Sequence, residues 1–242
     1  METITSLQNA KIKKWTSLHK KKERDALGLF LIEGEHLIQE ALQANAVDTI
    51  ITDIDSPFDF KNTVQVTSQI MKKLSENVSA VHYMAVCHKL EQTPNKMNRV
   101  ILLDGVQDPG NLGTLIRTAI SFSFDAVYLS EDACDLYNDK VIRSTQGALF
   151  HIPVIRANLK DIVTELQQND FQIIATSLDE SKTMSEIKET QHMGFIFGNE
   201  GQGVSKQLQQ QADSRLRIEM HGFESLNVAV AGGIVMYNYR NK

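Results

Sequence analysis

Val100-Ile101-Leu102-Leu103-Asp104-Gly105-Val106-Gln107-Asp108-Pro109-Gly110-Asn111-Leu112-Gly113-Thr114-Leu115-Ile116-Arg117 is the stretch on which the fold turns. Residues 100–103 are uniformly apolar and read as a buried strand. A turn rich in Gly and Pro then delivers Asn111, a candidate N-cap, to a helix expected over residues 111–122. Downstream, strands are expected at 126–129, 152–155, 171–176, 195–197 and 216–219. Helices are expected at 139–148, 159–168, 204–210 and 226–239. Strands alternating with helices imply a parallel sheet covered on both faces. Ligands of such sheets bind beyond the carboxyl ends of the strands.

Upstream, a helix is expected over 34–44, with Leu37, Ile38, Ala41 and Leu42 on one face, and a strand over 49–52. A second helix is expected from Ser68 as N-cap, with Ile70, Met71 and Leu74 inside, then a strand over 81–87. This is a small α/β domain. Thr93-Pro94-Asn95-Lys96-Met97-Asn98 is polar, contains proline and lacks apolar periodicity, so it reads as a linker. The expected organisation is a domain over 1–92, a linker over 93–98 and a second domain over 99–242.

Of the 242 residues, 42% are hydrophobic and 23% charged, which supports a packed core and excludes global disorder. No apolar run approaches the ~18 residues of a membrane span. The stretch METITSLQNAKIKKW carries no apolar segment after its charges, so no secretory signal is expected. Two cysteines, Cys87 and Cys134, are expected to make neither a disulfide framework nor a four-ligand zinc site, and the histidines show no metal spacing. A soluble, cytoplasmic protein without a structural metal is expected.

The net charge of −5 argues against indiscriminate nucleic-acid binding, but its distribution is uneven. Residues 1–98 hold 12 basic and 12 acidic residues, and residues 99–242 hold 13 and 18. Between Lys11 and Arg24 lie seven basic residues (Lys11, Lys13, Lys14, Lys20, Lys21, Lys22 and Arg24) against one acid, Glu23. Such a run is either a solvated helix face or an RNA grip on an acidic body.

Three strand-to-helix corners carry chemistry. In the first, Gly113 and Arg117 share a helix face, leaving room beside the guanidinium. The second is Gly198-Asn199-Glu200-Gly201-Gln202-Gly203-Val204-Ser205-Lys206. It lacks the phosphate-reaching lysine of a P-loop and the third glycine of a dinucleotide fingerprint. Glu200 would repel phosphate and suits a hydroxyl-bearing or cationic ligand. In the third, Ser225 is placed to cap the final helix. Ala229, Ala231, Gly232 and Gly233 make that helix thin, at a cost of roughly 1–2 kcal/mol for the glycine pair, so close approach of another segment or a ligand is expected.

Together the corners resemble the three motifs of the SpoU/TrmH family of SPOUT RNA methyltransferases: Asn111, Gly113 and Arg117; Gly198, Glu200 and Gly201; and Ser225-Leu226-Asn227-Val228. Order and spacing match over residues 99–242. The N-terminal part, through Lys11–Lys14, Arg24 and Phe30-Leu31-Ile32-Glu33-Gly34, is similar to the family's substrate-binding domain, a ribosomal-protein-like α/β unit. The resemblance implies a Rossmann-like parallel sheet with a C-terminal trefoil knot, preceded by a small RNA-binding domain. It implies a homodimer, S-adenosylmethionine as cofactor, and methyl transfer to a ribose 2′-hydroxyl of structured rRNA or tRNA. Carried over residue by residue, Asn111, Arg117, Glu200, Ser225 and Asn227 form the catalytic surround. Gly198, Ile218 and Leu226 contribute to the cofactor site, although Glu219 stands where the family often has proline. Arg117 is expected to clamp phosphate as a bidentate fork, since arginine does not give up its proton. The competing expectations are an inactive ribosome-assembly factor on the same fold and a generic nucleotide-binding protein.

Overall fold

Strand alternation sorts the side chains of this chain onto opposite faces of two sheets. The computed structural model describes residues 2–77, 79–90, 93–220 and 225–241. The N-terminal part forms β1 (Glu2–Ile4), α1 (Ala10–Ser17), α2 (Lys21–Leu27), β2 (Leu29–Glu33), α3 (Glu35–Gln43), β3 (Val47–Thr52), β4 (Thr63–Val66), α4 (Ser68–Leu74) and β5 (Tyr83–His88). There follow β6 (Arg99–Asp104), α5 (Pro109–Ser121), β7 (Ala126–Leu129), α6 (Asp139–Thr145), β8 (Val154–Arg156), α7 (Leu159–Gln168) and β9 (Gln172–Thr176). The chain ends with β10 (Met193–Gly198), α8 (Lys206–Gln211), β11 (Ser214–Leu216) and α9 (Val228–Asn238).

Two compact units result. The first comprises Met1–Glu91 and Asp135–Phe150, the second Gln92–Cys134 and His151–Lys242. The segment from Asp135 to Phe150, expected with the second domain, thus groups with the first. Ile142, Leu149 and Phe150 are buried in one cluster with Phe30, Ile32 and Ile38, and Arg24 pairs with Asp135 at 2.5 Å.

The first unit is a five-stranded sheet in the order β1-β4-β3-β5-β2. β1, β4 and β3 run parallel, and β5 is antiparallel to both β3 and β2. Leu29, Met84 and Val86 face Ile12 and Trp15 of α1 and Ile70, Met71 and Leu74 of α4. Phe30, Ile32, Ala85 and Cys87 face α3 and α6. The elements β1, α1, α2, β2 and β4 were not anticipated. Asn9 caps α1 by accepting from the Lys11 amide at 2.8 Å. The N-cap of α4 is Thr67 instead of Ser68, because the Thr67 hydroxyl accepts from the Ile70 amide.

The second unit is a six-stranded, wholly parallel sheet in the order β11-β9-β10-β6-β7-β8. Val100 and Leu102 of β6 bury against α7 and α8. Ile101 and Leu103 are fully buried and alternate to the opposite face of the sheet. From β6 the chain proceeds outward to β7 and β8, then returns to build β9, β10 and β11 on the other side. The reversal of strand order lies between β6 and β10, where Gly198 pairs with Asp104. A crevice for ligands opens at such a point.

Candidate active site

The loops leaving β6 and β10 at this crevice deliver the polar residues of two motifs. Asp108, not Asn111, caps α5: its carboxylate accepts from the Asn111 amide at 2.8 Å, with Pro109 in the first turn where its missing N–H costs nothing. Asn111 therefore lies in the first turn of the helix as its third residue, and its side chain is released for other work. Its Nδ2 donates to Glu200 Oε1 at 2.9 Å. Glu200 also accepts from the amides of Asp108 (3.1 Å) and Gln107 (3.3 Å). Partial burial pushes the Glu200 carboxyl upward, but hydrogen bonds from the Asn111 side chain and the amides of Glu200, Asp108 and Gln107 outweigh it. The group is held below the ordinary carboxylate range and is a weak base.

The third motif joins from the start of α9. Asn227, not Ser225, is the N-cap: its Oδ1 accepts from the amides of Ala229 (2.9 Å) and Val230 (3.3 Å). Its Nδ2 donates to Asn111 Oδ1 at 2.9 Å. Asn111, Glu200 and Asn227 thus form one hydrogen-bonded trio. Ser225 is exposed, and its side chain makes no hydrogen bond among the described residues. His221 and its neighbours through Glu224 lie outside the described residues.

Arg117 is exposed on α5, and its guanidinium has neither a hydrogen bond nor an ion pair among the described residues. It lies six positions after Asn111, which on a helix is about 120° around the axis and about 9 Å along it.

Of the residues assigned to the cofactor, Gly198 ends β10 where the chain doubles back. A Cβ there would lie 2.0 Å from the Gly203 carbonyl carbon and the Val204 nitrogen, so chain crossing requires the glycine. Ile218 is half-buried, and Leu226 is 38% exposed immediately ahead of the Asn227 cap. Arg217 still donates to the Lys182 carbonyl at 2.9 Å, but no backbone hydrogen bond joins Ile218 or Met220 to another described residue.

The thinness expected of α9 has a visible use: a Cβ on Gly232 would meet Leu115 Cδ2 of α5 at 2.3 Å. In the first unit, Lys13, Lys14, Lys20 and Lys22 are exposed without an ion pair among the described residues. Lys11 pairs with Glu2 at 2.5 Å and Lys21 with Asp25 at 3.8 Å. Arg24 differs, being buried and donating to the carbonyls of Leu18 (2.7 Å) and His19 (2.9 Å) as well as to Asp135. It is a structural brace and not a surface cation. Lys72 and Lys73, exposed on α4 beside α1, were not anticipated. Their pattern of two lysines between buried Met71 and Leu74 was the available signal.

A model of the SpoU rRNA Methylase family matches residues 98–237, more than half of the chain. The chain belongs to the SpoU rRNA methylase family. Residues 9–85 match an MRM3-like substrate binding domain. The 23S rRNA (guanosine(2553)-2′-O)-methyltransferase RlmP of Bacillus subtilis is 40% identical, over 99% of this chain and 100% of that one. An AdoMet-bound rRNA methyltransferase from Sinorhizobium meliloti superposes with a TM-score of 0.88 at 27% identity, over 98% of this chain and 97% of the other. The SpoU methyltransferase AviRb from Streptomyces viridochromogenes shares the fold, with a TM-score of 0.84 at 23% identity over 96% and 97%.

Proposed function

We propose that this chain transfers a methyl group from S-adenosylmethionine to a ribose 2′-hydroxyl of large-subunit ribosomal RNA. The observation that carries the proposal is the Asn227–Asn111–Glu200 chain at the strand-order reversal, in a protein of the SpoU family similar over its full length to an rRNA 2′-O-methyltransferase. The cofactor supplies an electrophilic methyl on a sulfonium. Backbone groups at Gly198 and Ile218, with the Leu226 side chain, would hold it.

The protein's own groups supply position and polarity. Glu200 orients the Asn111 amide instead of acting as base, since a carboxylate accepting this many hydrogen bonds has little proton affinity. Each asparagine amide carries a second N–H beyond the bonds of the trio, which would donate to ribose oxygens. Arg117 engages the phosphate of the target nucleotide through its planar fork, and its charge stabilises the developing alkoxide. A phosphate oxygen or a water accepts the proton. Holding the hydroxyl in line with the methyl accounts for much of the rate.

In the same reading the chain is a homodimer and the fork in each site comes from a second copy, a reading supported by the position of Arg117 about 120° around α5 from Asn111. Val230, Ile234 and Tyr237 form an exposed apolar stripe on α9, beside α5, for that contact. The same proposal includes a C-terminal trefoil knot, in keeping with a chain that leaves the edge strand β11 and reaches α5 through α9. Residues 1–92 would hold RNA through Lys13, Lys14, Lys20, Lys21 and Lys22, with Lys11. Residues 99–242 would hold the reaction. Among the described residues no helix is long and apolar enough to cross a membrane, in keeping with work in the cytoplasm.

The test is a map of 2′-O-methyl sites in total RNA from cells with and without the chain, paired with methyl transfer by the purified protein. A site in 23S rRNA lost with the chain is expected. Identical maps in ribosomal and transfer RNA would favour the inactive assembly factor.

A further inference from the structure

The Glu200 carboxylate is only as well aimed as the loop that feeds it amides. Gln107 and Asp108 follow Gly105, which turns the chain out of β6 with φ of +69°. Side chains from two other segments grip this one glycine. Its N–H donates to Ser130 Oγ at 2.8 Å, and its carbonyl accepts from Asn199 Nδ2 at 2.8 Å. Ser130 is buried just beyond β7 and donates its own hydrogen to Asp132 at 2.6 Å, so its lone pairs are left to face Gly105.

Asn199 acts at both ends of its amide. Its Oδ1 accepts from the amides of Gly201 (2.9 Å) and Gln202 (3.1 Å), shaping the turn that carries Glu200. Its Nδ2 meanwhile reaches across to the loop whose amides Glu200 accepts. A primary amide offers two acceptor sites and a donor on one planar group. Aspartate keeps only the acceptors, and serine is too short to span both loops.

We propose that Asn199 is a positioning residue for methyl transfer: it staples the 105–108 loop to the 199–203 loop and so fixes the point at which Glu200 holds Asn111. Ser130 braces the same glycine from the opposite side. The role deepens the methyltransferase reading and rests on it. Displacing the Glu200 loop by even about 1 Å misplaces the Asn111 amide that it holds, and misplacement of that size costs on the order of 100-fold in rate.

The test uses Asn199→Ala in the full chain, with two readouts. The first is methyl transfer to ribosomal RNA: kcat is expected to fall about 10- to 100-fold with the KM for RNA unchanged. The second is the titration of the Glu200 carboxyl, followed by carbon NMR in the protein alone. Its midpoint is expected to move up toward the ordinary carboxylate range as the amides of Gln107 and Asp108 drift away. Wild-type kcat with an unmoved Glu200 midpoint would overturn the staple. Should Asn199→Ala not fold, Ser130→Ala loosens the same glycine and is judged by the same two readouts. If wild-type protein transfers no methyl group while the Glu200 midpoint still moves in the variant, the staple stands and the assigned reaction falls.

Discussion

Asn227 Nδ2 donates to Asn111 Oδ1 at 2.9 Å, across 116 positions of sequence. The bond has a direction. Amides of α9 donate to Asn227, Asn227 donates to Asn111, and Asn111 donates to Glu200, so the dipoles run head to tail into a negative charge. Bonds aligned in this way polarise one another.

Asn227 therefore has two separable duties. Asn227→Ala removes the α9 cap and should cost about 1 kcal/mol of stability together with most activity. Asn227→Asp keeps the capping oxygen and places a negative charge at a helix N-terminus, which is favourable. It also sets an acceptor against Asn111 Oδ1. Its melting temperature should stay above that of Asn227→Ala because the cap is kept, while kcat falls at least about 10-fold, since one positioned group is lost. Calorimetry and methyl transfer on the same preparations check both.

Glu200 predicts a pH dependence whose sign follows from its hydrogen bonds. Its folded pKa lies below the ordinary value because donated hydrogen bonds outweigh partial burial. Such a group contributes stability that is fully present above the unfolded carboxylate pKa and is lost as pH falls through the lowered folded value. Glu200→Gln should thus melt below wild type at pH 7, and the gap should close on acidification. A gap independent of pH would assign the loss to packing.

Periodicity and glycine-rich corners were readable from the chain: the strand over Ala126–Leu129 and the helix over Leu159–Gln168 have the expected bounds. Caps were not. Asp108 and Asn111, Thr67 and Ser68, and Ser225 and Asn227 each present competing side-chain oxygens within three residues, and only the three-dimensional path of the turn chooses between them. Arg24 was unreadable for a different reason. Its burial depends on Asp135, 111 positions away, which no local pattern announces. Arg117 shows the reverse: its motif was plain, while its direction relative to Asn111 follows only from helix geometry.

RNA affinity should report the lysines without reference to catalysis. Lys72→Glu with Lys73→Glu on α4, and Lys20→Glu with Lys22→Glu near α2, should each weaken binding to ribosomal RNA fragments. Each lysine that neutralises a phosphate adds about 0.7–0.9 to the slope of log affinity against log salt, so either double variant should flatten it by roughly 1.4–1.8. A slope unchanged by the Lys72/Lys73 pair would confine the interface to α1, α2 and their junction.

The two neighbouring glycines of α9 should respond oppositely to alanine. At Gly232 a Cβ would meet Leu115 Cδ2 at 2.3 Å, and at Gly233 its nearest neighbour is Thr118 Cγ2 at 4.0 Å. Gly232→Ala overpacks the α5–α9 contact and should destabilise by about 1–3 kcal/mol, softened by the mobility of the Leu115 tip. Gly233→Ala fills open space in a helix interior and should stabilise by up to about 1 kcal/mol. Denaturant unfolding of both variants separates close packing from helix propensity.

Supply of Arg117 by a second copy can be decided by mixing two inactive chains. Arg117→Ala retains the trio, and Asn111→Ala retains the guanidinium. If each site takes its trio from one chain and its fork from the other, a mixed dimer has one complete site and one lacking both groups. Random reassortment makes about half of the dimers mixed, so co-expression should restore about one quarter of wild-type activity. If Arg117 serves the trio of its own chain, every site in every dimer lacks one group and the mixture stays inactive. Ile234→Glu in the exposed α9 stripe supplies the control: it should yield monomers by light scattering and abolish the restored activity, because charge on an apolar contact opposes association. Restoration that survived in monomers would remove the second copy from the mechanism.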